Sequence, residues 1–205
     1  LKTDYIDLYQ LHFPDDETQI EETLSTLDDL VHQGKIRYVG CSNFSGWQIS
    51  DADWTARDRS FNRFVTAQNL YSLLDRGVEK EVIPACQRYG LGILPYFPLA
   101  SGLLTGKYIR GKEPPQGTRL ASWGDRAKSA LSDHNFDVLE KLSSFAEEKG
   151  HSLLELAMSW LASQPQISSV IAGATSPKQV QQNAQAASWR LSDEEMKEVD
   201  RIVQS

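Results

Sequence analysis

A chain of 205 residues, 40% of them hydrophobic, can bury a full core and has the length of one domain or at most two. Its net charge of −7 leaves no basic face of the kind nucleic acid or an anionic membrane requires, so neither is expected as a partner. No apolar run approaches the roughly 20 residues that span a bilayer, and with no signal-peptide pattern in the opening residues the cytoplasm is the expected compartment.

The first element is a strand in residues 4–14, with Ile6, Leu8 and Gln10 on one face and Tyr5, Asp7, Tyr9 and Leu11 on the other. Pro14 has no amide proton for a ladder, so the strand ends near His12 or Phe13. That places His12 at a carboxyl end, the side on which parallel α/β folds build their sites. Taken alone, such a histidine reads equally well as a loop group satisfied by a carbonyl. The chain starts at Leu1 and enters this strand within about four residues, so an upstream portion is expected.

Residues 18–33 predict an amphipathic helix with Ile20, Leu24, Leu27, Leu30 and Val31 inward and Gly34 as its stop. A strand at 35–41 runs into Ser42 and Asn43, a helix starts near Trp47, and residues 62–68 form the third strand. A helix at 78–89 carries Val82, Ile83, Ala85 and Cys86 inward and ends before Gly90, and 91–96 is the fourth strand. Residues 97–130 show no periodicity, and a connection this long is commonly functional. Helices at 136–149 and 152–163 follow, then a fifth strand at 168–172. Ser176 suits an N-cap with Pro177 at the first helical position, and Ser192 and Glu195 have capping-box spacing before the last helix. Strands separated by helices imply a parallel sheet with right-handed crossovers. Five of them fit an open doubly wound sheet or the last five strands of an eight-stranded barrel. Cys41 and Cys86, without C-x-x-C spacing, read as reduced core thiols, and no metal site is expected.

Four strand ends carry chemistry: His12, Ser42 with Asn43, Gln68 and Tyr96. A primary carboxamide needs donors and acceptors together, which Asn43, Gln68 and Ser42 supply, and a flat heteroaromatic ring needs a stacking surface such as Tyr96. Loop amides and a core tyrosine are the plain alternatives. The helix start at residues 173–178 offers free amides to a diphosphate, with Lys178 and Lys107 to neutralise charge. Either lysine reads equally as solvated surface. No G-x-G-x-x-G or Walker sequence occurs.

Four segments, D-Y-I-D-L-Y-Q-L-H-F-P-D at 4–15, G-K-I-R-Y-V-G-C-S-N-F-S at 34–45, P-L-A-S-G-L-L-T-G-K-Y at 98–108 and residues 173–183, together resemble aldo-keto reductases along the whole chain. The resemblance implies a parallel (β/α)8 TIM barrel, represented here by strands similar to the fourth to eighth, and NADPH-dependent reduction of aldehydes or ketones. It implies that His12 hydrogen-bonds the carbonyl of a small-molecule substrate. Ser42, Asn43 and Gln68 would read the carboxamide and Tyr96 would stack beneath the nicotinamide. Leu99, Ser101, Leu103, Thr105 and Lys107 match the cofactor-clamping loop, and Gly173, Thr175, Lys178, Gln179, Gln182 and Asn183 the phosphate and adenine end. Gln179 stands where many members place an arginine for the 2′-phosphate, so NADH is the alternative cofactor, with Lys178 as a substitute cation. The family's acid, a tyrosine tuned by a lysine and an aspartate, comes from three earlier βα units of roughly 30 residues each. General acid catalysis is worth about 10²–10⁴-fold, so little reductase turnover is expected from this chain alone. Two other readings stand beside it: a non-catalytic nicotinamide-binding redox sensor, like the channel-associated subunits that resemble the family, and a complete open sheet holding a small ligand. Trp47 and Trp123 are candidates to line a pocket, although Trp47 reads better as core.

Overall fold

The computed structural model describes residues 2–204. They fall into two compact units. One holds the chain up to Leu70 with Gly77–Pro95 and Gln166–Ser169; the other holds Tyr71–Arg76, Tyr96–Pro165 and the residues from Val170 onward.

The first unit is a parallel sheet of β1 (Ile6–Leu11), β2 (Ile36–Ser42), β3 (Phe64–Gln68) and β4 (Gly92–Ile93), each strand beside the next in sequence. Helices α1 (Ile20–His32), α2 (Gly46–Arg59) and α3 (Val82–Tyr89) alternate with them. Leu11, Cys41, Ala67 and Ile93 lie in register across the sheet, and the last three are completely buried. The level below consists of Gln10, Gly40, Thr66 and Gly92. The glycines are there for space: a β-carbon on Gly40 would collide with Thr66 Oγ1 and sit 3.1 Å from Gln10 Cγ, and one on Gly92 would collide with Ser168 Oγ.

Helices α1 and α2 form where they were expected, whereas the helix expected at 78–89 is α-helical only from Val82, after a 3₁₀ turn at Gly77–Glu79. Leu24 and Leu27 of α1, Ile49, Ala52 and Ala56 of α2, and Val82 and Cys86 of α3 are all buried. Asp28 joins α1 to the turn before β3, its Oδ1 accepting the Asn62 backbone and side-chain N–H groups, both at 2.7 Å. A capping box of Ser45 and Gln48 starts α2. Trp47 is not core: it is 65% exposed, with Trp54 at 64% two turns along the same helix face. The inward face of α2 is made by Gly46, Ile49, Ala52, Asp53 and Ala56, and Trp47 lies off it.

Two strand predictions shrink. The fourth strand keeps only Gly92–Ile93, because Pro95 lies inside the expected stretch and cannot donate to a ladder. Residues 168–172 do not form a strand. Ile167 makes a single parallel bridge to Ile93, with Ile93 N–H donating to the Gln166 carbonyl at 2.9 Å and Ser168 N–H donating to the Ile93 carbonyl at 3.0 Å. Beside it the Gln166 side-chain amide donates to the Leu91 carbonyl at 2.6 Å, taking a position a ladder would have used. The chain then leaves the sheet.

In the second unit residues 97–130, expected to be irregular, contain a 3₁₀ stretch at Ala100–Thr105 and short helices α4 (Arg119–Trp123) and α5 (Ala127–Ala130). Four longer helices follow: α6 (Asp133–Glu148), α7 (Leu153–Ser163), α8 (Pro177–Ala186) and α9 (Asp193–Gln204). Trp160 of α7 is fully buried, edge-on to Tyr71 at 5.3 Å, under an Arg76 guanidinium that also pairs with Asp200 at 2.6 Å. Arg110 is enclosed by the carboxylates of Asp133, Asp137 and Glu140. Among the described residues no helix is long and apolar enough to cross a membrane, and no group of three or more His, Cys, Asp or Glu is arranged to hold a metal ion.

Candidate active site

His12, Ser42, Asn43 and Gln68 meet at the carboxyl ends of β1, β2 and β3. Register does the first part of the work, since Ser42 lies opposite Gln68 and Leu11 opposite Cys41. A backbone reversal does the second. Asn43 has φ 62°, a left-handed conformation that asparagine tolerates better than most residues and that takes β2 out of the sheet. Its N–H donates to the Gln68 carbonyl at 3.1 Å, and its side-chain Nδ2 donates to the His12 carbonyl at 2.9 Å and to Ser42 Oγ at 3.1 Å. Ser42 Oγ donates in turn to the Gln68 carbonyl at 2.7 Å. Behind the turn, buried Asn69 donates to the Phe44 carbonyl at 3.2 Å, and Phe44 packs edge-on against Phe64. The His12 ring is exposed and tilted over Phe13 with ring centres 4.6 Å apart.

The remaining expected residues lie in the second unit, in two clusters. Tyr96 leads into the stretch containing Leu99, Ser101, Leu103, Thr105 and Lys107. Burial, with the Asp75 carboxylate adding to it, holds the Tyr96 phenol above its ordinary pKa, so it is neutral through the physiological range. Phe97, Ala100 and Ser101 all have positive φ (53°, 45° and 58°), three strained non-glycine positions within five residues. The turn is tied by Gly102 N–H to the Leu99 carbonyl at 2.8 Å and Thr105 Oγ1 to the Gly102 carbonyl at 2.7 Å. Leu103 is buried, while the Lys107 side chain is exposed and folds back over Gly102.

The second cluster surrounds the start of α8. Ser176 caps the helix by accepting the Gln179 N–H, with Pro177 at its first turn. Gln179 Oε1 accepts both the N–H and the hydroxyl of Thr175, at 2.7 and 3.0 Å, and so is used locally in a neutral bond. Asn183 Nδ2 reaches the Gly173 carbonyl at 3.5 Å, and Lys178 and Gln182 are exposed on the helix.

The strand-end residues carry the amide and hydroxyl group types that a carboxamide pairs with, although Asn43 Nδ2 and the Ser42 hydroxyl are bonded within the cluster in this structure, and the start of α8 with Lys178 suits an anion. Each cluster, taken by itself, suits one part of a nicotinamide nucleotide. Sequence reasoning missed Gly40, whose lack of a β-carbon lets the layer beneath the site close. Its signal was a glycine inside a strand. Cys41 and Cys86 are buried free thiols, and burial pushes Cys86 up to about 12, leaving no thiolate for chemistry near neutrality.

Comparison with known proteins agrees with this geometry. The chain is 35% identical over 202 residues to the uncharacterized oxidoreductase YrpG of Bacillus subtilis, covering 98% of this chain and 60% of that protein. It is 36% identical over 210 residues to a probable voltage-gated potassium channel subunit beta of Oryza sativa subsp. japonica, covering 100% of this chain and 64% of that protein. The glycerol dehydrogenase AKR11B4 from Gluconobacter oxydans has a similar parallel α/β structure, with a TM-score of 0.83 at 31% identity over 98% of this chain and 59% of that one. The chain therefore spans about 60% of the length of the relatives it matches. The Aldo/keto reductase family model is matched across residues 1–204, and the chain belongs to that family.

Proposed function

We propose that the protein is a nicotinamide-nucleotide-dependent oxidoreductase that reduces aldehyde or ketone carbonyls to alcohols, working within the (β/α)8 barrel of its family. The observation that carries this reading is the bonded set of Ser42, Asn43 and Gln68 beside His12 at the ends of β1–β3. When bound, the reduced nicotinamide supplies a hydride. The chain's own residues hold and orient. Ser42, Asn43 and Gln68 hold the carboxamide, Tyr96 offers a flat neutral ring for stacking, and the 99–107 turn clamps the nucleotide. The start of α8, with Thr175 and Lys178, holds phosphate. His12 donates a hydrogen bond to the substrate carbonyl oxygen, stabilising the charge that develops there. NADPH is the proposed cofactor and NADH the alternative, since Gln179 contributes no charge and Lys178 is the exposed cation at the helix start. Low turnover by the 205-residue chain alone is part of this proposal, as is a cytoplasmic setting, which the two buried free thiols favour.

A second reading, a nicotinamide-binding redox sensor without turnover, is favoured by the 36% identity to the rice potassium channel subunit beta. One titration tests both. NADPH is expected to quench tryptophan fluorescence saturably in the chain, with weaker binding after Ser42→Ala. Absence of saturable binding by either NADPH or NADH overturns both readings, while 4-nitrobenzaldehyde reduction at the rate of an intact reductase overturns the low-turnover expectation and the sensor reading together.

A further inference from the structure

We propose that Asn43 is a positioning residue for His12: its side-chain amide anchors the His12 main chain, and so aims the imidazole, before any nucleotide binds. The inference rests on the assignment of His12 as the substrate-facing group and adds a role to Asn43 that the carboxamide does not require. Where β2 reverses at Asn43, a left-handed φ of 62° removes the main-chain partner that a continuing parallel ladder would offer β1. The side chain replaces it. One Asn43 Nδ2 hydrogen goes to the His12 carbonyl at 2.9 Å and the other toward Ser42 Oγ at 3.1 Å, while the Asn43 main-chain N–H and the Ser42 hydroxyl both end on the Gln68 carbonyl. One residue thus ties three strand ends into a single chain of bonds. The imidazole itself is exposed and tilted over Phe13, which is 59% exposed, so ring packing restrains it little and the main-chain anchor sets its direction.

The test compares imidazole ¹⁵N–¹H spectra of the nucleotide-free chain, wild type against Asn43→Gly and Asn43→Asp, with His12 assigned by its loss in His12→Gln. Asn43→Gly keeps the left-handed backbone and deletes the amide; Asn43→Asp keeps the shape but has no N–H to give at neutral pH. In both variants the His12 cross-peaks are expected to move by more than their line width or to broaden, while those of His32, His134 and His151, which lie elsewhere, hold their positions. Unchanged His12 peaks overturn the proposal, and so does simultaneous displacement of all four histidines in both variants, which would make Asn43 a general structural residue. A parallel NADPH titration keeps the outcomes separate. Failure of the wild-type chain to bind nucleotide sinks the functional reading and leaves the His12 comparison decisive for the anchor, whereas weaker binding in the variants with unmoved His12 peaks leaves Asn43 a carboxamide reader alone.

Discussion

The strand-end cluster and the start of α8, each a candidate ligand contact within its own unit, are built in opposite ways. At His12, Ser42, Asn43 and Gln68 the bonds join residues 26 and 31 positions apart, and they exist only once three strands are in register. At Thr175, Ser176, Gln179 and Asn183 the bonds join residues three, four and ten apart, all within one exposed turn and helix. A site held by the sheet cannot change without disturbing the core. One held by its own helix turn can yield to a ligand, at the small cost of exchanging a local bond for a new one.

Substitutions can break or sharpen this contrast. The largest effect is expected from Gly40→Ala, which drives a methyl into Thr66 Oγ1 in the closed layer beneath the strand-end cluster; overpacking there should cost about 3 kcal/mol in urea unfolding. Gly173→Ala, where nothing lies within 4 Å, should stay within about 0.5 kcal/mol, and equal losses at the two glycines would refute the contrast. Next comes Asp28→Ala, which leaves the Asn62 N–H groups without their acceptor and should cost about 2 kcal/mol at neutral pH. Burial alone would raise the Asp28 carboxyl, but hydrogen bonds from Asn62 and the neighbouring His32 outweigh it and hold the group below its ordinary 3.8. A lowered folded pKa means that the stabilisation is present above 3.8 and is lost as pH falls through the folded value. The stability gap between wild type and Asp28→Ala should accordingly narrow in acid; a gap that widens there would contradict the assignment.

At the α8 end the effects should be smaller. Removing the cap with Ser176→Ala is expected to cost about 1 kcal/mol, read as faster amide exchange at Gln179 with β1–β3 protection unaltered. Lys178→Ala should weaken NADPH about two- to fivefold, the scale of an exposed ion pair, with the difference fading in high salt. A loss of tenfold or more, insensitive to salt, would show that Lys178 is held in a built pocket rather than on a yielding turn.

Much of this was legible in the residues. Pro14 and Pro177 announce a strand end and a helix start by what a proline lacks, and the caps at Ser176 and Ser192 form as spaced because a cap involves only the first turn. The fifth strand failed because 168–172 satisfies the strand pattern locally, while pairing with β4 is limited to the Ile93–Ile167 bridge and the Gln166 side chain occupies the Leu91 carbonyl beside it. Trp47 looked like core because an indole usually is, but the buried face of α2 is carried by Ile49, Ala52, Asp53 and Ala56 and leaves Trp47 outside.

By itself the sequence determined the caps, the end of the first strand, that the strands are parallel, and that His12, Ser42, Asn43 and Gln68 come at strand ends, since those features depend on covalent geometry and a few neighbouring residues. Only the tertiary structure decided that Asn43 would turn left-handed and bond the His12 carbonyl, and that Gly40 would lie under Thr66 without room for a methyl. Those outcomes depend on register, where a difference of one residue moves a side chain to the other face of the sheet, and no local pattern carries that information.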